Sequence, residues 1–206
     1  MTSNLPIVEF LSLPENLPLV VDVVENFSAL YDALEKRFVD SLWRLVQAKY
    51  AASSLSRDWI LRPAWVDPGK ITGNRHAGAY LTPVVPAKIY PFPGIYITRE
   101  SGNYYLYYGI EWDGESDSEP KNFPGEKSRT LTDFLSANEF DRNRWTLGWK
   151  NYRTFTGLKQ FLTTIGTPAE FEILAAGAVD DFWAFFEDTS AMVGDLNRYL
   201  FNQPST

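Results

Sequence analysis

Cysteine is absent from the 206 residues, and histidine occurs once, at His76. The first absence removes disulfide scaffolds, Cys-ligated zinc, iron–sulfur clusters and thiol nucleophiles together. The second removes His-pair metal sites and leaves any catalytic triad a single possible base. No G-x-S-x-G elbow supplies a serine to match it. There is no P-loop and no G-x-G-x-x-G between a strand and a helix. The Gly-rich stretch Gly69–Gly78, with Lys70, Arg75 and His76, would cradle a phosphate only if ordered. Its plainer reading is a solvated connection carrying a polar, exposed histidine. No apolar run approaches the roughly 20 residues of a membrane helix. The segment Met1–Pro6 lacks the basic and then apolar regions of a signal peptide. A cytoplasmic address is the expectation.

What is present suffices for a core. Hydrophobic residues make up 45% and charged residues 22%, which argues against a disordered chain. The length fits one domain over 1–206. A formal charge of -7 disfavours nonspecific binding to nucleic acid or anionic membrane.

Residues 1–15, with Pro6 and Pro14, read as an extended arm. Over 16–54, Leu17, Val20, Val24, Phe27, Tyr31, Leu34, Phe38, Leu42 and Leu45 recur at helical spacing, as one helix or two with a bend near Glu25–Phe27. From 57 to 113 prolines, glycines and short β-rich runs take over. Candidate strands are Trp59–Leu61, Ala79–Val85, Lys88–Tyr90 and Ile95–Arg99. Pro83 and Pro86 demote their strands to edges or bulges. Residues 114–129 form an acidic loop, and 130–202 are mainly helical: Thr132–Phe140, Thr156–Ile165, and a stripe from Phe171 to Leu200. Thr167, Pro168 and Glu170 spell a cap, a first-turn proline and a capping box. Gly177 and Gly194 weaken the case for one unbroken final helix. Arg142–Tyr152 reads as irregular or a short strand.

The clearest element is an aromatic hairpin at Gly94–Asp113. A turn over Ser101-Gly102 pairs Ile97 with Leu106 and Ile95 with Tyr108. The same register pairs Tyr96 with Tyr107 and Thr98 with Tyr105, which commits Ile95, Ile97, Leu106, Tyr108 and Ile110 to one buried face. The order helix, strands, helices predicts an α+β fold, a central antiparallel sheet flanked by N-terminal and C-terminal amphipathic helices.

Three groups of residues carry chemistry. Glu111 and Asp113 lie two apart at a strand end and so point the same way, with Glu115, Asp117, Glu119 and Lys121 following. Two carboxylates on one face would suit Mg²⁺, and Lys121 would then stabilise a phosphoryl transition state. Glu119-Pro120-Lys121 also spells the short E-x-K element of the PD-(D/E)XK nucleases. That element belongs on a strand, however, and here it holds a proline. The plainer account is a solvated acidic loop. Second, Arg142, Arg144, Trp145, Trp149, Lys150, Tyr152 and Arg153 interleave cations with aromatics. That pattern suits single-strand stacking or a protein interface, and equally two core tryptophans with arginines around them. Third, Tyr96, Tyr105 and Tyr107 share the hairpin's other face, with Gly94 and Gly109 leaving a gap in its cover. Open, that face is a binding site; the expectation is that a helix covers it.

The sequence therefore predicts a non-enzymatic protein-interaction module: an inhibitor, adaptor or complex subunit that needs no cofactor. Its partner would be another protein, possibly a basic one, rather than a membrane or nucleic acid. The contact residues would be Glu115, Asp117, Glu119, Tyr96, Tyr105, Tyr107, Arg144, Trp145 and Trp149. The alternative is a Mg²⁺-dependent nuclease or phosphodiesterase using Glu111, Asp113 and Lys121.

Overall fold

The computed structural model describes residues 5–64, 76–87, 90–113, 128–143 and 146–202. Its centre is a five-stranded antiparallel sheet in the order β1-β2-β3-β4-β5, so sequence neighbours are spatial neighbours throughout. The strands are β1 (Trp59–Ala64), β2 (His76–Pro83), β3 (Tyr90–Glu100), β4 (Asn103–Asp113) and β5 (Thr146–Phe155). Helices α1 (Leu5–Leu11) and α2 (Leu17–Ala52) precede the sheet, and α3 (Arg129–Ala137), α4 (Gly157–Gly166) and α5 (Pro168–Phe201) interrupt or follow it. The fold is α+β.

β3 and β4 form the predicted hairpin in the predicted register, with Ile97 opposite Leu106, Ile95 opposite Tyr108, and Tyr96 opposite Tyr107. The two-residue turn has Ser101 at φ 50° and Gly102 at φ 83°. Positive φ at both centres matches the right-handed twist of the strands it joins. β5 then extends the sheet beyond β4, where the sequence suggested irregular chain.

Alternation along the strands decides where the core lies. Ala77, Ala79 and Leu81 of β2, Ile95 and Ile97 of β3, and Tyr104, Leu106 and Ile110 of β4 are buried. Helices α2, α4 and α5 supply Phe38, Leu42, Phe161, Phe182 and Phe186 to the same core. Tyr104 stacks on Phe161 at 4.1 Å, Trp59 meets Phe186 edge-on at 5.3 Å, and Tyr108 meets Phe185 at 5.4 Å. Asn197 of α5 adds a polar anchor. Its Nδ2 donates to the Val85 carbonyl at 2.8 Å, and its Oδ1 accepts from the Ala87 amide at 2.9 Å, fastening the link between β2 and β3.

Several expectations are corrected. Residues 5–11 are a helix rather than an extended arm. Pro6 does not forbid this, because a first-turn proline has no intrahelical hydrogen bond to lose. α2 is a single helix without a break at Glu25–Phe27. β2 is interior rather than an edge, and Pro83 is its last residue. Pro91 and Pro93 lie within β3 itself, on the stretch that pairs with β4 before pairing with β2 begins at Gly94. No capping box forms at α5: the helix does start at Pro168, but the Thr167 hydroxyl donates to the Thr163 carbonyl instead of capping.

Candidate functional site

The sheet's second face carries the even-numbered residues of β2 and β3 and the odd-numbered residues of β4. Register brings His76 opposite Thr98, Tyr96 opposite Tyr107, and Phe92 opposite Glu111, while Trp149 of β5 sits opposite Gly109. Tyr96 and Tyr107 are buried, at 2% and 6% exposure, and Tyr105 is half-buried. The ring neighbours of the two buried tyrosines are strand residues rather than a helix: each other at 5.5 Å, His76 at 5.8 Å from both, and Trp149 at 6.1 Å from Tyr107. The expected helical cover is thus replaced by rings that bury one another. Gly94 makes this possible. A Cβ there would lie 2.2 Å from the Tyr96 hydroxyl oxygen, so the phenol lies down along the strand into the space glycine leaves.

Beside this cluster opens a cavity of about 730 Å³, within the range of small-ligand sites. Its aromatic wall is Tyr105, Tyr107, Trp112 and Trp149, its carboxyls are Glu100 and Glu111, and Asn143, Asn151, Thr98, Thr146 and His76 complete it. Asn143 is brought there by the approach to β5, where Asp141 and Trp149 exchange backbone hydrogen bonds and the Asn143 side chain accepts from the Thr146 amide.

Three of these groups form a chain. The Tyr107 hydroxyl lies 2.5 Å from His76 Nδ1 and 3.3 Å from Glu111 Oε1. Burial pushes the Glu111 carboxyl up to about 7, against the pull of the Tyr107 and Tyr96 hydroxyls. Burial also raises Tyr107, with Glu111 adding to the effect, so the phenol stays protonated. His76 is lowered by burial although its outer side is open to solvent, so the imidazole is neutral near pH 7. One phenolic proton then permits two arrangements. With Glu111 ionised, Tyr107 donates to the carboxylate and accepts from His76 Nδ1–H. With Glu111 protonated, the carboxyl donates to Tyr107, and Tyr107 donates to an unprotonated Nδ1. The chain therefore takes up one proton near neutrality by switching the histidine tautomer.

Two polar atoms remain unsatisfied here. The Tyr96 hydroxyl is close enough to Glu111 to favour its ionised form yet completes no hydrogen bond, and Thr146 Oγ1 has no partner. Such atoms are rare in folded proteins and mark sites with unspent capacity.

Glu111, Tyr96, Tyr105, Tyr107 and Trp149 are thereby gathered around one place, although the sequence put them in three separate groups. Glu115, Asp117, Glu119, Lys121, Arg144 and Trp145 lie outside the described residues, as does the side chain of Asp113. The cation–aromatic run is divided by β5. Trp149 faces the tyrosines, whereas Lys150 lies 5.7 Å over the Phe140 ring and Tyr152 packs against Gly177 of α5. His76 was passed over because a lone histidine in a Gly-rich segment carries no signal. Its pairing with Thr98, and so its place near Tyr107, follows only from strand register. Among the described residues no cluster of three or more side chains suited to a metal occurs, and no helix is long and apolar enough to cross a membrane. No protein-family model, curated protein or solved structure matches the chain.

Proposed function

We propose that the protein is an interaction module whose aromatic sheet face receives a basic side chain, arginine or lysine, from a partner protein. The observation that carries this reading is the Glu111 carboxyl, held near neutrality in a cavity walled by Tyr105, Tyr107, Trp112 and Trp149. A cation seated there would meet ring faces and a carboxylate together. Cation–π attraction is worth about 0.5–2 kcal/mol, more as water is excluded, and charge-assisted hydrogen bonds are about twice as strong as neutral ones. A guanidinium would also supply donors for Thr146 Oγ1 and the carboxyl oxygens. Its arrival would draw the proton off Glu111, coupling binding to pH.

Calorimetric titration with a hexa-arginine peptide, against a hexa-glutamate control, tests this. Binding of the first alone is expected, weakened at least tenfold by Trp149→Ala and by Glu111→Gln. Uptake of the two peptides to the same extent, or indifference to both substitutions, removes the cavity from the account. Reversing Glu115, Asp117 and Glu119 to lysine asks whether the acidic segment adds to the contact.

A further inference from the structure

We propose that the N-terminal half of α2 is a docking surface for a basic amphipathic helix of a partner protein. The proposal is independent of the cavity. α2 carries one apolar seam at Leu17, Val20, Val24, Phe27, Tyr31 and Leu34, alternating steps of three and four residues, and the seam continues into Phe38. Such spacing keeps a stripe facing another helix. Where the seam meets the body of the protein it is filled: Phe38, Leu42 and Val46 are fully buried. Toward the N-terminus the same seam is open, with Leu17 47%, Val24 69% and Phe27 44% exposed. Leu19, Val21, Val23 and Leu30 are also exposed, at 65%, 50%, 53% and 55%. At 100° per residue these side chains cover more than half of the circumference. A two-turn overhang of ordinary helix would be polar on its free faces. This one, about 21 Å long over residues 17–30, is not.

Charge identifies the occupant. Glu9, Glu15, Asp22, Glu25, Asp32 and Glu35 precede Lys36, and no lysine, arginine or histidine does. Helix-dipole stabilisation does not account for these carboxylates, because the first turn of α2 holds none. A second copy would set acidic flanks against acidic flanks, and an anionic lipid surface would be repelled. A helix with apolar seam residues and flanking lysines or arginines satisfies both the stripe and the charge.

The test uses the full chain and two 21-residue helical peptides. Both carry leucine at the seam positions, and their flanks are all lysine in one and all glutamate in the other. Fluorescence anisotropy should give binding to the lysine peptide at least tenfold tighter than to the glutamate peptide, weakening as salt rises. Val24→Glu and Phe27→Glu, at exposed positions, should each reduce it at least tenfold with circular dichroism unchanged. Trp149→Ala should leave it intact, which separates this surface from the cavity. Equal binding of the two peptides, or unaltered affinity in both variants, overturns the proposal. So does a dimer in sedimentation that Val24→Glu dissociates, which would make a second copy the occupant. Binding to phosphatidylserine vesicles lost in the same variants would make it a membrane.

Discussion

Tyr96 and Tyr107 face each other across the hairpin with tilted rings, yet their hydroxyl groups do opposite things for stability. The Tyr107 hydroxyl links His76 to Glu111, whereas the Tyr96 hydroxyl is buried without a hydrogen bond. Removing a bonded group strands its partners at a cost of about 1–3 kcal/mol, while removing an unsatisfied one relieves a desolvation penalty. Tyr107→Phe should therefore destabilise by roughly that amount, and Tyr96→Phe should be neutral or stabilise by up to about 1 kcal/mol. Urea unfolding of the two variants decides it, and equal losses would contradict the assignment. At this scale the sequence was legible in part. Period-two alternation placed Tyr96, Tyr107 and Glu111 on one face, because the side of a strand is fixed by counting. Which hydroxyl finds a partner was not legible. That depends on how a ring lies over Gly94 and on a histidine two strands away.

At the scale of elements, α5 runs unbroken through both of its interior glycines, and the two positions differ in what surrounds them. A Cβ at Gly194 would meet only Arg198 Nη1, at 3.7 Å, whereas one at Gly177 would come within 2.4 Å of the Tyr152 hydroxyl oxygen. Alanine exceeds glycine inside a helix by about 0.8–1 kcal/mol. Gly194→Ala should therefore stabilise by close to that, raising Tm by roughly 2–4 °C in a chain of this size. Gly177→Ala should gain less or lose, and the difference should vanish in a Tyr152→Phe background, where the clashing oxygen is gone. Thermal melts of the four variants check this; equal gains at the two glycines would sink it. The same element explains what the sequence could and could not convey. Long apolar stripes made α2 and α5 readable, and the Ser101-Gly102 turn made β3 and β4 readable pair by pair. β5 was missed because Trp149, Lys150 and Tyr152 look alike as a mixed polar and aromatic run. Their alternation has meaning only once β4 lies beside them. α1 was missed because Pro6 was weighed as a breaker without regard to its place in the first turn.

For the molecule as a whole, two buried carboxyls sit on opposite sides of the same sheet. Glu35 of α2, 2% exposed, accepts from the Tyr31 hydroxyl at 2.9 Å, and Tyr31 in turn contacts Tyr104 at 2.9 Å; the second Glu35 oxygen has no partner. Burial raises Glu35 to about 7, as it does Glu111. β4 thus presents Tyr104 to one carboxyl system and Tyr107 to the other. A carboxyl whose folded pKa lies above its unfolded value of 4.5 binds more protons in the folded state between pH 4.5 and 7. Unfolding then releases protons, so stability falls as pH rises through that window and stays low above it. This is the reverse of the usual salt-bridged carboxylate. The loss is at most about 3 kcal/mol for each group. His76 acts the other way. Its lowered pKa means that the unfolded chain takes up a proton below pH 6.5 that the folded protein resists, so its contribution is lost as pH falls. Denaturant unfolding at pH 5, 6, 7 and 8 should accordingly find the protein more stable at pH 5 than at pH 8. Glu35→Gln and Glu111→Gln should each remove about half of that slope. In the double variant the histidine's opposite dependence should be what remains, and a slope unchanged from the parent would show that neither carboxyl is held as described.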